Sequence, residues 1–381
     1  MKPIYLYLIM GIMLAAGTLS TLVSKALNEQ TAQGHYFHHP YFQAASMFIG
    51  EAMCLAVYRA YSAFDPSIKS SFNVSVIVTK SDKLISRLGK FVYTLPTFFD
   101  LLASSLSYLG LIFIAPSVYQ MMKGFIIVVV AVFSVIFLKA KLYRHQILGC
   151  GLATFGVIIV GTVSILYQAA SASNPVLGSV LVLCAQFFTG GMFVVEELFF
   201  SKIKIDPLYA VGLEGLFGVG YFVILLPILY FIPCSLEFCL GGRVEDSILA
   251  LKQIGTNSTI ALYWTATTII IAAFNWSGIS TTKHASSLSR STLQTTKTIL
   301  VWVCSILIGW ETFLWPQLIG FIILALGTMI YNEVIVIPWF GFKQSVEAKK
   351  EQKARTDKIK ETLENNDDDS YYPEKESSVV N

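Results

Sequence analysis

Charge is what this chain lacks. Only 13% of its 381 residues are Asp, Glu, Lys or Arg, where a soluble domain carries about 25%, while 55% are hydrophobic and the mean hydropathy is +0.64. That balance excludes a water-soluble globular fold and makes lipid the main solvent. Charge of one sign is scarce too: 27 Lys and Arg against 24 Asp and Glu leave a net +3. The basic residues sit in short loops and a tail rather than in one patch, so nucleic acid is excluded as a partner. Phosphate-binding loops, paired zinc-protease histidines and nucleophile elbows are also missing, so no enzyme chemistry, cofactor or metal site is expected. Cysteine is sparse. Cys54, Cys150, Cys184 and Cys304 fall in apolar runs and read as packing residues, whereas Cys234 and Cys239 share a loop and form a candidate disulfide.

What is present is a series of apolar runs. A helix crosses the hydrocarbon core in about 20 residues. Stretches of that size lie near residues 4–26, 41–61, 92–113, 117–138, 146–166, 176–199, 208–232, 259–280, 285–308 and 314–336. With ten crossings, Lys2, Arg59, Lys69, Lys80, Lys83, Arg87, Lys90, Lys139, Lys141, Arg144, Lys202, Lys204 and Lys283 gather on one side. Only Arg243 and Lys252 lie opposite, so both termini are expected in the cytosol. The first run is read as an uncleaved anchor rather than a signal peptide. Residues 62–90 form a polar linker. The tail, basic at EAKKEQKARTDKIK and acidic at ENNDDD, reads as a short exposed helix followed by disorder, without a KDEL-type retrieval signal. Two sequons occur: Asn257 on the luminal side, close to the membrane, and Asn73 on the cytosolic side. The loop GHYFHHP reads as a polar loop, with acid sensing or metal binding as the sharper alternative.

The chain also echoes itself. QILGCGLATFGVIIVGT at 146–162 resembles QLIGFIILALGTMIYNE at 317–333, and HPYFQAASMFIGE at 39–51 resembles DPLYAVGLEGLFG at 206–218. Five helices per copy force the second copy to start from the opposite face, the inverted-repeat arrangement of alternating-access transporters. The expected fold is therefore an all-α polytopic membrane protein of ten helices in two inverted repeats. Residues 1–166 and 167–337 are the two repeats, and residues 338–381 are a cytosolic tail. The last span of each repeat has no ionisable residue in its apolar core and reads as peripheral, with Gly151, Gly156, Gly161, Gly320 and Gly327 as close-packing positions.

Within the spans lie Lys25, Glu51, Asp100, Lys123, Glu196, Glu197, Glu214, Arg290 and Lys297. Each costs about 2.5–3.5 kcal/mol if it faces lipid near the bilayer centre, so they are expected to face the interior. Helical spacing agrees, since Arg290, Gln294 and Lys297 share one face, as do Gln120 and Lys123, and Thr18, Thr21 and Lys25. Lys123, Arg290, Lys297 and Lys25 are the candidate substrate contacts, with Gln120, Gln294 and Asn275 beside them. Glu51, Glu214 and Asp100 are candidates for proton coupling or charge pairing. Structural pairing of these charges with one another is the competing reading. Glu196 and Glu197, adjacent in sequence, point to different helix faces and do not form a paired-carboxylate site by themselves.

The runs KALNEQ, SVYQMMKGFIIVVVAVFSVIFLKAKLYRHQILG, PLYAVGLEGLFG, AFNWSGISTTKHASSLSRSTLQTTKTILVW and GWETF resemble the drug/metabolite transporter superfamily, specifically the F branch of solute carrier family 35. The likeness spans residues 4–336 and includes EamA-like and nucleotide-sugar-transporter-like proteins. The chloroquine-resistance transporter of malaria parasites is a more distant look-alike. This resemblance implies a central cavity and residence in an endomembrane such as lysosome or Golgi. It also implies functional weight at Gln120, Met121, Lys123 and Gly124, at Glu214 and Gly215, and at Arg290 and Lys297. Similar relatives often carry Arg where this chain has Lys123 and Lys297. The expected function is alternating-access transport of a small organic solute, proton-coupled or by exchange, with the lipid bilayer and a homodimer as further partners. A non-transporting scaffold or receptor and a passive channel are the rivals.

Overall fold

The structure is a computed structural model that describes residues 3–64, 89–139, 141–167, 174–200, 206–235, 239, 242–284, 287–310, 313–338 and 341–351. Most of the expected linker, the Asn73 sequon, the side chain of Glu197 and the tail from residue 352 lie outside the described residues.

Helices begin where the sequence supplies a rigid start or a cap. Helices α1 (Pro3–Asn28), α2 (Pro40–Phe64), α4 (Pro116–Lys123), α7 (Pro175–Phe200) and α8 (Pro207–Phe231) each open on proline, whose φ suits the first helical turn and whose missing N–H is not needed there. The side chain of Asp206 accepts from Leu208 N at 2.9 Å to start α8, and Asn174 accepts from Leu177 N at 3.1 Å to start α7. Asp246 and Asn257 cap α9 (Ser247–Thr256) and α10 (Ser258–His284) in the same way, each bond 2.9 Å. The Asn257 amide also donates to Thr31 O, so this sequon residue is engaged at both ends. The remaining helices are α3 (Thr94–Phe113), α5 (Ile126–Leu138), α6 (Arg144–Tyr167), α11 (Ser287–Ile308) and α12 (Trp315–Tyr331).

Between α1 and α2 a hairpin pairs β1 (Thr31–Ala32) with β2 (His35–Tyr36) through Gln33 and Gly34, both at positive φ. Two left-handed residues in succession are what a tight two-residue hairpin requires. Cys234 and Cys239 are joined by a disulfide in the loop ahead of α9.

Seven helices among the described residues are long and apolar enough to cross a membrane: Ile4–Asn28, Lys90–Phe113, Pro116–Phe137, Arg144–Tyr167, Pro175–Glu196, Pro207–Phe231 and Ser258–Thr281. Thr296–Ile308 and Trp315–Tyr331 are shorter apolar helices. The stretch at 41–61 is helical as α2, with Gln43, Glu51 and Arg59 diluting its apolar character. The outer faces of the helices carry large apolar side chains, as Leu8, Val57, Phe137, Ile158, Val223, Leu262 and Leu307 illustrate, each at least 57% exposed. This is a multi-pass integral membrane protein.

The broadest packing surfaces pair α6 with α12, α3 with α7, α2 with α8 and α1 with α10. Helices α6 and α12 meet through glycines. A Cβ at Gly156 would sit 2.6 Å from Leu324 N, and one at Gly327 would sit 2.6 Å from Ala153 N. A Cβ at Gly149 would lie 2.7 Å from Gly327 O, and one at Gly320 would meet the Ile159 side chain at 2.8 Å. Gly151 and Gly161, expected as close-packing positions, are not crowded: nothing lies within 4 Å of a Cβ at Gly151, and only Met122 Cε, at 3.7 Å, approaches Gly161. The helical period explains the correction, since residues 149 and 156 are seven apart and share a face that 151 and 161 leave. Cys184 also departs from the packing expectation, being exposed.

The segment after α12 departs from the expected exposed helix. Residues 342–351 are helical and dock by one face. Val346 is buried, Ser345 Oγ lies 3.1 Å from His145 Nδ1, and Lys349 Nζ lies 2.6 Å from Glu333.

Because the clash at Gly156 is with backbone, it cannot be relieved by a rotamer change. Gly156→Ala should cost about 1–3 kcal/mol, the usual cost of overpacking, and lower the melting temperature of the detergent-solubilised protein. Gly151→Ala should leave it unchanged; equal effects of the two would contradict this packing.

Candidate functional site

The interior charged groups come from six helices. Glu51 is 2% exposed on α2, where that helix is pinched between two neighbours. A Cβ at Gly50 would lie 2.2 Å from Thr268 O of α10, and one at Gly215 of α8 would lie 2.2 Å from Ala52 N and 2.7 Å from Glu51 Cβ. The glycines therefore set the depth at which Glu51 is held. Its Oε1 accepts a hydrogen bond from Asn275 Nδ2 of α10, and its Oε2 is buried with no partner among the described residues. Glu214, one residue before Gly215, is also buried and its Oε1 is likewise unpartnered.

Asp100 on α3 and Glu196 on α7 complete the acidic side. Glu214 lies within Coulombic reach of Glu196, Glu51, Asp100 and Arg290, and Glu196 within reach of Arg290 and Asp100. Glu196 was not among the site candidates from sequence, although its burial at 6% exposure puts it with them.

The basic side is built differently. Helix α4 ends at Lys123, and the chain continues through Gly124 and Phe125 into α5. The turn is carried by short-range bonds, Gly124 N to Met121 O at 3.0 Å, Phe125 N to Met122 O at 3.1 Å and Val128 N to Phe125 O at 3.0 Å. The α-helical bonding of the apolar stretch at 117–138 is thus interrupted by a 3-10-type turn after Lys123, with the backbone at Gly124 and Phe125 still in the right-handed helical region. Lys123 Nζ stands over the Tyr119 ring at 4.3 Å from the centroid. Gln120, on the same face, donates to Thr21 Oγ1 of α1 at 2.5 Å.

Helix α11 brings the other two cations. Lys297, 7% exposed, places Nζ 4.6 Å from the centroid of the Phe274 ring. Its stem passes over Gly17 of α1, where a Cβ would lie 2.5 Å from Lys297 Cδ. Arg290 stands 5.2 Å from the Phe193 ring centroid and its Nε is buried without a hydrogen bond. Lys297 is within Coulombic reach of Lys123 and Arg290, and Asp100 within reach of Lys123 and Arg290. Among the described residues, no carboxylate oxygen lies within 4.0 Å of Lys123, Arg290 or Lys297. Gln294 is half-buried one turn from Lys297.

Lys25 does not join this group through an ion pair. It sits at the end of α1 and pairs locally with Glu29 at 3.0 Å, the i,i+4 geometry available to any helix end. The aromatic partners Tyr119, Phe193 and Phe274 could not be read from spacing along one helix, since two of the three contacts cross between helices. One signal was available in the sequence: Gln120-Met-Met-Lys123 and Gln294-Thr-Thr-Lys297 repeat the same Gln-x-x-Lys pattern. No cluster of three or more His, Cys, Asp or Glu able to hold a metal occurs among the described residues, the histidine loop included.

Asn275 is the sole hydrogen-bond donor to Glu51 among the described residues. Asn275→Leu should destabilise the protein by about 1–3 kcal/mol by leaving a buried carboxyl group unsatisfied. Adding Glu51→Leu should recover most of that loss in thermal denaturation; strictly additive losses would show that the two side chains do not act together.

Comparison with known proteins places these features in a family context. Solute carrier family 35 member F6 of Rattus norvegicus is 34% identical over 345 residues, covering 86% of this chain and 88% of that protein. The Homo sapiens protein of the same name is 34% identical with 86% and 89% covered. An uncharacterized protein of Schizosaccharomyces pombe is 31% identical over 335 residues, covering 86% of this chain and 97% of that one. No family model matches. A solved crystal structure superposes with a TM-score of 0.51 at 15% identity over 86% of this chain and 96% of that chain, a likeness of fold alone.

Proposed function

The chain belongs to the F branch of solute carrier family 35, and from that membership we propose that it transports a small organic solute with an anionic group by alternating access. The bilayer is an endomembrane, lysosomal or Golgi, with both termini in the cytosol. Transport is proton-coupled or an exchange. Membership of a solute carrier family points away from an enzyme.

The observation that carries this reading is the state of the three interior cations. Lys123, Arg290 and Lys297 rest on aromatic faces rather than on carboxylates. A cation over a ring gains about 0.5–2 kcal/mol, which is less than the cost of bringing a charge to this depth. A carboxylate or phosphate group of a solute would supply the missing partner, with Gln120 and Gln294 beside the lysines as neutral hydrogen-bonding groups. Glu51, Glu214 and Asp100 then serve as the groups that a coupling proton or a compensating charge visits.

The neighbour pattern supports two inverted five-helix repeats, residues 1–166 and 167–337. Ten crossing units are counted as α1, α2, α3, α4 with α5, α6, α7, α8, α10, α11 and α12. Moving each unit five places turns the pair α3–α7 into α10–α1 and the pair α5–α7 into α11–α1, both of which pack together. The pairs α2–α8 and α6–α12 map onto themselves. The Gln-x-x-Lys pattern of α4 and α11 falls on units related by the same shift. Rocking of one repeat against the other would then move two equivalent lysines about a shared site.

Reconstituted protein should take up an organic anion saturably and be stabilised by it, screened across amino acids, peptides and nucleotide sugars at two luminal pH values. Loss of a charge-assisted contact is worth about 1.5–3 kcal/mol. Lys123→Ala should therefore weaken binding about 10- to 100-fold while the melting temperature without solute holds. Full activity in that variant would return Lys123 to a structural role, and the absence of saturable uptake for every solute would favour a scaffold.

A further inference from the structure

The histidine-bearing connection ahead of α2 does not behave as a polar loop. His39 is 0% exposed, and its partners come from more than 200 residues away. Its Nδ1 lies 2.6 Å from Glu245 Oε1, and its Nε2 lies 3.1 Å from Gln253 Oε1 of α9. Both partners are buried, at 2% and 0% exposure.

The surrounding bonds fix where the protons must be. The Gln253 amide nitrogen donates to Ala32 O at 2.9 Å and His35 O at 3.3 Å, so its oxygen is the atom turned to His39. Nε2 must therefore carry a hydrogen. Glu245 Oε2 accepts the first free amides of α2, Tyr41 N at 3.1 Å and Phe42 N at 3.2 Å, so the carboxyl group lies at the positive end of that helix. At 2.6 Å the lone pairs of Nδ1 and Oε1 cannot face each other, so a second proton lies between them, whichever atom holds it. The closed arrangement holds two protons on the pair. With the pair apart and in water, carboxylate and imidazole together hold close to one at neutral pH, since a histidine in water is half protonated near pH 6.5.

We propose that His39 and Glu245 form a proton-binding site in the cap, where closing the hairpin onto the loop and helix ahead of α10 takes up one proton. The hairpin belongs to the first half of the chain and α9 to the second, so the clasp ties the halves together on the hairpin side. Acid on that side holds the clasp shut and neutral pH loosens it. The assignment of that side to the lumen rests on the orientation proposed above, but the proton uptake does not.

Other charged groups near the pair are accounted for. His35 on the hairpin and Lys252 on α9 are exposed, and Lys25 of α1 pairs with Glu29, which follows that helix. Arg243 lies over the Tyr230 ring at 3.8 Å, and Asp246 is engaged in capping α9. His38 is held at about 4 by burial and then by Lys25, so it does not titrate between pH 5 and 8.

The sign follows from linkage: above pH 6.5 the open form binds fewer protons, so each pH unit shifts the balance toward opening by up to tenfold. Hydrogen exchange of the purified full chain, corrected for intrinsic chemistry, tests this in peptides covering residues 31–42. Their protection should fall close to tenfold from pH 7 to 8 and little from pH 5 to 6, while α6 peptides stay constant. Glu245→Gln can close on a neutral His39 by donating its amide to Nδ1, so its protection should be flat from pH 7 to 8 and should rise from pH 5 to 6, where the open imidazole is protonated, while that of His39→Gln should be flat throughout. His38→Gln should keep the wild-type response. A flat wild-type profile, a full response in Glu245→Gln, or loss of the response in His38→Gln would overturn the proposal. Since none of these readouts involves transport, their failure is separable from failure of the transport reading.

Discussion

A buried charge in a lipid-facing chain can be tolerated only if it turns inward, and that constraint organises this bundle. Lys123, Lys297 and Arg290, and Glu51, Asp100, Glu196 and Glu214, leave six different helices and converge. Apolar side chains alone would not select one helical arrangement over another, because lipid tails are as apolar as leucine. Interior polar groups provide that selection. Small residues then allow the approach: Gly50 and Gly215 let α2 close against α10 and α8, and Gly17 makes room for the Lys297 stem.

The consequence is a core that is crowded where it is neutral and incompletely matched where it is charged. The α6–α12 contact is interlocked at the backbone level by Gly149, Gly156 and Gly327. Near the charges, by contrast, Glu51 Oε2, Glu214 Oε1 and Arg290 Nε have no hydrogen-bond partner. A purely structural charge network would be expected to satisfy its members, since a half-satisfied polar network is less stable than an apolar core. The tightened turn after Lys123 falls in the same region, with its main-chain groups bonded i to i+3.

Much of the fold was legible from hydropathy, because each apolar run is bounded by proline, a capping Asp or Asn, or a polar turn. Helix faces were legible where the spacing was unambiguous, as for Gln120 with Lys123 and for Arg290, Gln294 and Lys297. What one helix meets was not legible. Glycine content marked α6 and α12 as packing helices but could not tell Gly149 from Gly151, because the choice depends on the facing backbone of α12. Lys25 reads as an inward charge, and its local partner Glu29 lies just past the end of α1, where the spacing of one face does not reach. The tightened turn after Lys123 is carried by main-chain bonds within a continuous apolar run, and Gly124 alone did not signal it. His39 was the least legible, since both side-chain partners lie in a part of the chain that reads as an ordinary loop and short helix.

The two titratable regions differ in what they can do for a moving protein. The carboxyl groups of the interior are coupled to one another and to Arg290, so a proton added to one changes the field at the others and at the lysines beside them. That suits a group whose protonation alters affinity for a charged solute. The His39–Glu245 pair touches none of those residues, and its proton is bound by a contact between halves of the chain rather than by the site itself. A proton held there changes which arrangement of the halves is populated without changing the site's affinity within either arrangement. Coupling through population and coupling through affinity are thus assigned to separate parts of the molecule. Acid on the hairpin side acts on the first through a single buried contact at 2.6 Å.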